Sequence, residues 1–272
     1  MIPKKIHWCW LSNDSLPKLL SACIETWKEH LPDYEIKLWN MQSFDVNSVP
    51  YVAEAVKARK WAFACDYIRA YALYTEGGVY MDSDIFVRKN FDFALQNRAF
   101  TAMEVHPEEF KQAKLAGLID EKGNKKEGVR YIHGSQIQAA ILGSEKGHPF
   151  FKDVLDYYNT HSFIKADGSV DTEMISPFIY ANLAVKYGFK FTETEQSLDE
   201  GFMIYSTELC APLVKAANKN SYTVHCCQHS WAEKEKTWLE KAYNRFKVYV
   251  CKIIGRHQDF ETETLHYLQK IS

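Results

Sequence analysis

The stretch Trp61-Ala62-Phe63-Ala64-Cys65-Asp66-Tyr67-Ile68-Arg69-Ala70-Tyr71-Ala72-Leu73-Tyr74-Thr75-Glu76-Gly77-Gly78-Val79-Tyr80-Met81-Asp82-Ser83-Asp84-Ile85-Phe86-Val87 decides how this chain is read. At 100° per residue, Trp61, Cys65, Ile68 and Ala72 fall on one line, which predicts a helix from about Lys60 to Glu76 with that line turned to a core. Gly77 and Gly78 close the helix, and Val79 to Met81 and Ile85 to Val87 read as extended. Asp66 and Arg69 share the flank of the apolar line. As an ordinary i,i+3 ion pair on a solvated face they would contribute about 0.2–0.5 kcal/mol. Turned together toward the end of a sheet, they would lie where α/β proteins place ligands.

Asp82-Ser83-Asp84 follows the apolar strand directly. In extended geometry residues i and i+2 point to one side, so both carboxylates would converge just past a strand end. Two adjacent carboxylates repel unless a cation lies between them, and hard oxygen ligands suit Mg²⁺ or Mn²⁺. A nucleotide diphosphate is the natural partner anion of such a metal, because coordination neutralises its charge and makes it a better leaving group. A bare D-x-D is also a common turn sequence, and its place after helix, Gly-Gly and strand is what lifts this one above chance.

Working outward, Lys5 to Leu11 reads as a buried strand, Leu16 to His30 as a helix with Pro17 in its first turn, and Tyr34 to Trp39 as a second strand. Residues 106 to 130, with five lysines and three glycines, break the alternation and predict a mobile surface excursion. Helical patterns return at Pro149 to His161 and Glu173 to Tyr187. Short strands are expected at Phe189 to Thr192, Phe202 to Tyr205 and Tyr222 to Cys226. Alternating strands and helices predict an α/β layered fold with a mainly parallel central sheet. A single domain over 1–272 is expected, with a nucleotide-sugar-binding half (1–105), an acceptor-side half (106–230) and a C-terminal helical segment (231–272).

With 33 basic and 35 acidic residues, the charge balance gives no reason to expect nucleic-acid binding. Seven cysteines without a C-x-x-C pair argue against a disulfide framework and a zinc ribbon, and favour reduced thiols. The amino-terminal residues lack the apolar run of a signal peptide, so a cytoplasmic chain is expected. The last helical pattern, Trp231 to Ile254, sets Trp238, Tyr243, Phe246 and Tyr249 among Lys241, Arg245 and Lys247. It reads as core packing, or as a face for peripheral contact with the inner membrane surface.

The run Asp66-x-x-Arg69, then Gly77-Gly78-Val79-Tyr80-Met81-Asp82-Ser83-Asp84, resembles the D-x-D sugar-binding region of glycosyltransferase family 32. That family includes yeast initiating mannosyltransferases, bacterial capsular polysaccharide transferases and, more distantly, clostridial glucosylating toxins. Ile2-Pro3-Lys4-Lys5-Ile6-His7-Trp8-Cys9-Trp10 is similar to the opening strand of bacterial members, and Pro32 to Ile36 and Lys60 to Phe63 match in order and spacing. His225-x4-Ser230-Trp231 resembles the family's closing H-x4-S-W. Three departures stand out: Leu11-Ser12-Asn13 where Gly-Gly is common, Ser176-Pro177 where Gly-Pro is expected, and Cys65 where serine is common.

The resemblance implies a GT-A type sandwich and a retaining sugar transfer from a nucleotide-sugar donor, a UDP-sugar favoured, to an oligosaccharide or lipid-linked saccharide acceptor. It implies Mn²⁺ or Mg²⁺ on Asp82 and Asp84, with Ser230 and His225 as further metal-side residues. Asp66 and Arg69 would hold the donor sugar, while Ser230 and Trp231 would close over the diphosphate. Trp8 or Trp10, on one face of the first strand, could stack on the nucleobase. His225 and His229 beside Cys226 and Cys227 also invite a zinc reading, but adjacent cysteines make a poor tetrahedral site. A metal-dependent nucleotidyl or phosphoryl transferase would want the same carboxylates, yet no Gly-rich or Lys-bearing phosphate loop is evident. A catalytically silent saccharide or membrane-surface binding protein is the alternative of another class.

Overall fold

Strand β1 (Lys5–Cys9) runs next to the edge of the large sheet, parallel to the edge strand β2 (Glu35–Trp39) on one side and to β3 (Gly78–Met81) on the other. The computed structural model describes residues 1–12, 14–227 and 260–271. Beyond β3 the sheet continues through β7 (Ile141–Ser144), β5 (Ala99–Val105), β9 (Phe202–Tyr205) and β8 (Gln196–Leu198), with β6 (Ser135–Ile137) paired on β5. β7 is antiparallel to both its neighbours, whereas β5 and β9 return to the direction of β1. Five strands of this eight-stranded sheet therefore point one way, and the fold is the expected α/β class.

A second sheet of three short strands stands against this one: β4 (Ile85–Val87), β10 (Cys210–Ala211) and β11 (Thr223–His225), with β11 antiparallel to β4. Helix α1 (Lys18–His30) fixes β4 in place. Its apolar spacing buries Leu20, Cys23, Ile24 and Trp27. Trp27 Nε1 donates to the Ile85 carbonyl at 2.6 Å, and Thr26 Oγ1 accepts the Val87 amide at 3.0 Å. Pro17 sits at the N-cap, one position before the first helical residue.

The other face of the large sheet is covered by α2 (Pro50–Lys57), α3 (Trp61–Glu76), α5 (Pro149–Thr160) and α6 (Ser176–Ala184), which share one large apolar cluster with Tyr80, Met103 and Leu142. Ile68 and Ala72 of the predicted core line are fully buried, and Trp61 and Cys65 pack partly buried against the same cluster. Helix α7 (Phe260–Ile271) lies against α1, with Leu268 buried in a third, smaller cluster. No helix among the described residues is long and apolar enough to cross a membrane.

Two expectations need correction. Residues 106–130 are more than a surface excursion: they contain α4 (Pro107–Leu115), anchored by buried Phe110 and Ala113, and a bridge between Ile119 and Lys125. Phe189 to Thr192 is not a strand. Phe189 and Phe191 do fill the core, but the Gln196 side chain takes both backbone groups of Lys190, at 2.8 Å each, where a neighbouring strand would otherwise pair. The helical pattern expected over Trp231 to Ile254 lies outside the described residues.

Candidate active site

The site forms where α3, the end of β3 and the second sheet meet. α3 is buried on more than one side, so Asp66 and Arg69 are enclosed at 7% and 4% exposure and the solvated-face reading of this pair falls. Arg69 Nη2 lies 2.9 Å from Asp66 Oδ1 and 3.3 Å from Asp82 Oδ1, while Nη1 donates to the Ala139 carbonyl at 2.5 Å. Its guanidinium also stacks over the Tyr80 ring, 4.9 Å from the centroid. One planar cation thus ties helix α3 to the end of β3 and to the loop entering β7.

Asp82 and Asp84 converge by a different route from the predicted one. The chain turns at this point: the Ile85 amide donates to the Asp82 carbonyl at 3.0 Å, closing a β-turn that carries it from β3 into β4. The Asp82 amide donates to Ala140 O at 2.9 Å, and the Cys226 amide to Asp84 O at 3.0 Å. The turn is thereby clamped to the large sheet on one side and to the end of β11 on the other. Asp82, Asp84 and His225 each offer a ligand atom, all within 4.8 Å of one another. His225 Nε2 is 3.5 Å from Asp84 Oδ1.

The electrostatics suit a cation. Burial pushes the Asp82 carboxyl above its usual range, and the Asp84 carboxylate adds to that even though Arg69 opposes it. Burial disfavours charge on His225, but Asp84 outweighs it and holds the imidazole pKa well above 6.5. Burial also raises Asp66 to about 6, against the opposing pull of Arg69 and a hydrogen bond from Ser176. That hydroxyl is the group by which Ser176-Pro177 departs from the expected Gly-Pro, so the departure supplies a partner for Asp66. Cys65, the other departure inside α3, has its thiol pushed up by the neighbouring Cys9 and by burial.

The two tryptophans of β1 separate. Trp8 packs edge-on against Trp27 inside the core, ring centroids 6.2 Å apart and 8% exposed, which leaves it no open face for a base. Trp10 is partly buried just past the strand end, and its indole donates to the Asp14 carbonyl at 3.0 Å. His7 is buried on the opposite face. Ser230, Trp231 and His229 lie outside the described residues. The zinc reading gains nothing among the described ones, because Cys226 points away from His225 to a 4.0 Å contact with Cys23.

The sequence reading missed Tyr80, whose hydroxyl donates to Asp82 Oδ1 at 2.9 Å. The signal was available, since Asp82 follows the strand end by one residue and lies two positions after Tyr80. It also missed the Ala139 and Ala140 carbonyls and Ser176, for which no local pattern exists.

Residues 17–101 match the family model described as the glycosyltransferase sugar-binding region containing DXD motif. The chain is 27% identical over 161 residues to inositol phosphoceramide mannosyltransferase 3 of Schizosaccharomyces pombe (strain 972 / ATCC 24843), covering 57% of this chain and 36% of that relative's length. Among solved structures, it is similar to the PaToxG glycosyltransferase at a TM-score of 0.44 and 16% identity, over 68% of this chain and 69% of that one. It is also similar to a glycosyltransferase involved in the glycosylation of the major capsid of PBCV-1, at a TM-score of 0.44 and 14% identity, over 84% and 95%.

Proposed function

We propose, from the premise that this chain belongs to the glycosyltransferases whose sugar-binding region contains a DXD motif, that it moves a sugar from a nucleotide-sugar donor to a saccharide acceptor with metal assistance and retention of configuration. The observation that carries this reading is the convergence of Asp82, Asp84 and His225 beside the buried Asp66–Arg69 pair. Two carboxylate oxygens and an imidazole nitrogen fit Mn²⁺ somewhat better than Mg²⁺, which prefers oxygen and water. A metal held there would neutralise the charge that develops on the departing diphosphate.

The chain's own residues do the rest. Asp66 would accept hydrogen bonds from the donor sugar's hydroxyls, and Arg69 would position the sugar and the phosphate beside it. Arg69 is already oriented by Asp66, Asp82 and the Ala139 carbonyl, so it reorganises little when the oxocarbenium-like sugar and the charged leaving group form. No described side chain stands out as a covalent nucleophile, which favours departure and attack on one face, with the leaving phosphate taking the acceptor's proton. Trp10, Ser230 and Trp231 complete the donor site in this reading. A UDP-sugar donor and a surface or capsular polysaccharide acceptor, lipid-linked at the cytoplasmic membrane face, are its finer form.

Calorimetric titration of UDP, GDP and their sugars, with Mn²⁺ and with EDTA, into wild type and Asp84→Ala tests it. One nucleotide binding only with metal, and not to the variant, supports the reading and names the base. No binding of any nucleotide would leave a silent saccharide-binding protein as the better account.

A further inference from the structure

Ala139 and Ala140 form a bend between β6 and β7, and together they hold both halves of the candidate site. The Ala139 carbonyl accepts from Arg69 Nη1, and the Ala140 carbonyl accepts the Asp82 amide. A displacement of this bend therefore moves the guanidinium and the metal-side carboxylate together. Neither alanine can fix its own place. Their side chains are methyl groups, and residues 138–140 lie between the ladders that hold Ile137 on one side and Ile141 on the other.

Two buried side chains hold the bend from outside. Thr101 Oγ1, on β5, lies 2.7 Å from the carbonyls of both Gln138 and Ile141, the residues that bracket the two alanines, and its single proton serves one of them at a time. Gln138 Oε1 accepts the Ala140 amide at 3.0 Å, while the Gln138 amide donates to Ala102 O at 2.8 Å. Thr101 and Gln138 are 0% and 1% exposed, and β-branching stiffens Thr101 further. Stability alone is a poor reason for a glutamine here. Its Nε2 is buried and has no hydrogen-bond partner among the described residues, and an unpartnered buried donor is destabilising. An apolar side chain of similar length would avoid that penalty. It could not accept the Ala140 amide.

We propose that Thr101 and Gln138 are positioning residues for the transfer reaction. Through the bend they fix where Asp82 presents its carboxylate to the metal and where Arg69 presents its guanidinium to the donor. This rests on the metal-assisted reading above. Neither side chain reaches solvent, so both act on the reactants only through Ala139 and Ala140. Their removal is therefore felt in ligand affinity beyond any change in stability.

The test is titration with Mn²⁺, read by electron paramagnetic resonance of the free ion, with thermal unfolding of the same samples. Wild type, Gln138→Met, Thr101→Val, Thr101→Ser and Val154→Ala are compared. Gln138→Met exchanges one unsatisfied buried donor, Nε2, for another, the Ala140 amide, so it should melt close to wild type. Its Kd for Mn²⁺ should nevertheless rise about tenfold, the lower end of what outer partners of metal ligands contribute. Thr101→Val should weaken Mn²⁺ similarly, and Thr101→Ser, which keeps the hydroxyl, should bind as wild type does. Val154, fully buried on α5, is the control: its truncation to alanine leaves a cavity and lowers the melting temperature without touching Mn²⁺ affinity. Wild-type affinity in Gln138→Met or in a folded Thr101→Val overturns the proposal. So does a loss in Val154→Ala as large as theirs, which would make the effect a general response to loosened packing. A wild type that binds no Mn²⁺ removes the metal-assisted reading itself, and the positioning role with it.

Discussion

Arg69 and Asp82, on a helix and just past a strand end, meet at 3.3 Å, and the Tyr80 hydroxyl donates to the same Asp82 oxygen. Both contacts fall on Oδ1, so Asp82 is held in one orientation before any cation arrives. The lever is Arg69, since its two terminal nitrogens reach Asp66, Asp82 and a backbone carbonyl at once. A lysine ammonium is a point charge and cannot span three partners in one plane. Arg69→Lys is expected to lower stability by about 3–5 kcal/mol, the cost of leaving a buried carboxylate poorly paired. Urea denaturation measures it, and a loss below about 1 kcal/mol, typical of an exposed pair, would mean the site is more open than the 4% exposure of Arg69 implies.

Tyr80→Phe keeps the ring under the guanidinium and removes only the hydroxyl on Asp82. Outer partners of metal ligands typically matter 10–100-fold, so Mn²⁺ affinity should fall by about tenfold with little change in melting temperature. Calorimetric titration of Mn²⁺ reads this directly. Unchanged affinity would show that Arg69 alone orients the carboxylate.

The pH dependence of stability has a sign that Asp66 fixes. Its folded pKa is about 6, above the ordinary 3.8, so between these values the folded chain binds more protons than the unfolded one. Stability contributed by this group therefore falls as pH rises from about 4 to 6, by at most about 3 kcal/mol, and is level above that window. His7 works the other way. Burial lowers its pKa below 6.5, so its contribution is lost as pH falls through that value. The curve to examine is the difference between wild type and Asp66→Asn in urea denaturation from pH 4 to 7.5. A difference with no slope between pH 4 and 6 would place the Asp66 titration elsewhere.

The residues that the sequence made legible are those whose role follows from local spacing. The line of Ile68 and Ala72, the strand before Asp82 and the α/β alternation all follow from periods of 3.6 and 2. Burial of Asp66 and Arg69 did not follow, because it depends on α5 and α6 joining the cluster around α3 from distant parts of the chain. The turn at Asp82 was hidden for a similar reason. Its geometry is imposed by Ala140 and Cys226, one on each sheet, and nothing between residues 82 and 84 announces either contact. Helix α4 was overlooked since only Phe110 and Ala113 mark its buried side among lysines and glutamates.

Gly78 tests whether the path into the site is as constrained as the structure shows. Its φ is +113°, a region side chains rarely adopt, and a Cβ there would lie 2.6 Å from the Lys5 carbonyl oxygen and 3.1 Å from His7 Nε2. Neither neighbour can retreat cheaply. Lys5 is part of the β1–β2 pairing, and His7 is fixed from both sides: Trp39 Nε1 donates to its Nδ1 at 3.1 Å, so Nε2 carries the proton given to Gly77 O at 2.8 Å. Gly128 makes the control, because it too has positive φ, +78°, but a Cβ there meets nothing within 4 Å. Gly128→Ala should therefore cost only the backbone penalty, about 1–2 kcal/mol, whereas Gly78→Ala should cost more than that and displace β3 from β1. Since β3 delivers Asp82, Gly78→Ala should also weaken Mn²⁺ binding, and Gly128→Ala should not. Equal destabilisation of the two variants in urea, with Mn²⁺ affinity intact in both, would mean that β3 can shift against β1 without disturbing the carboxylates.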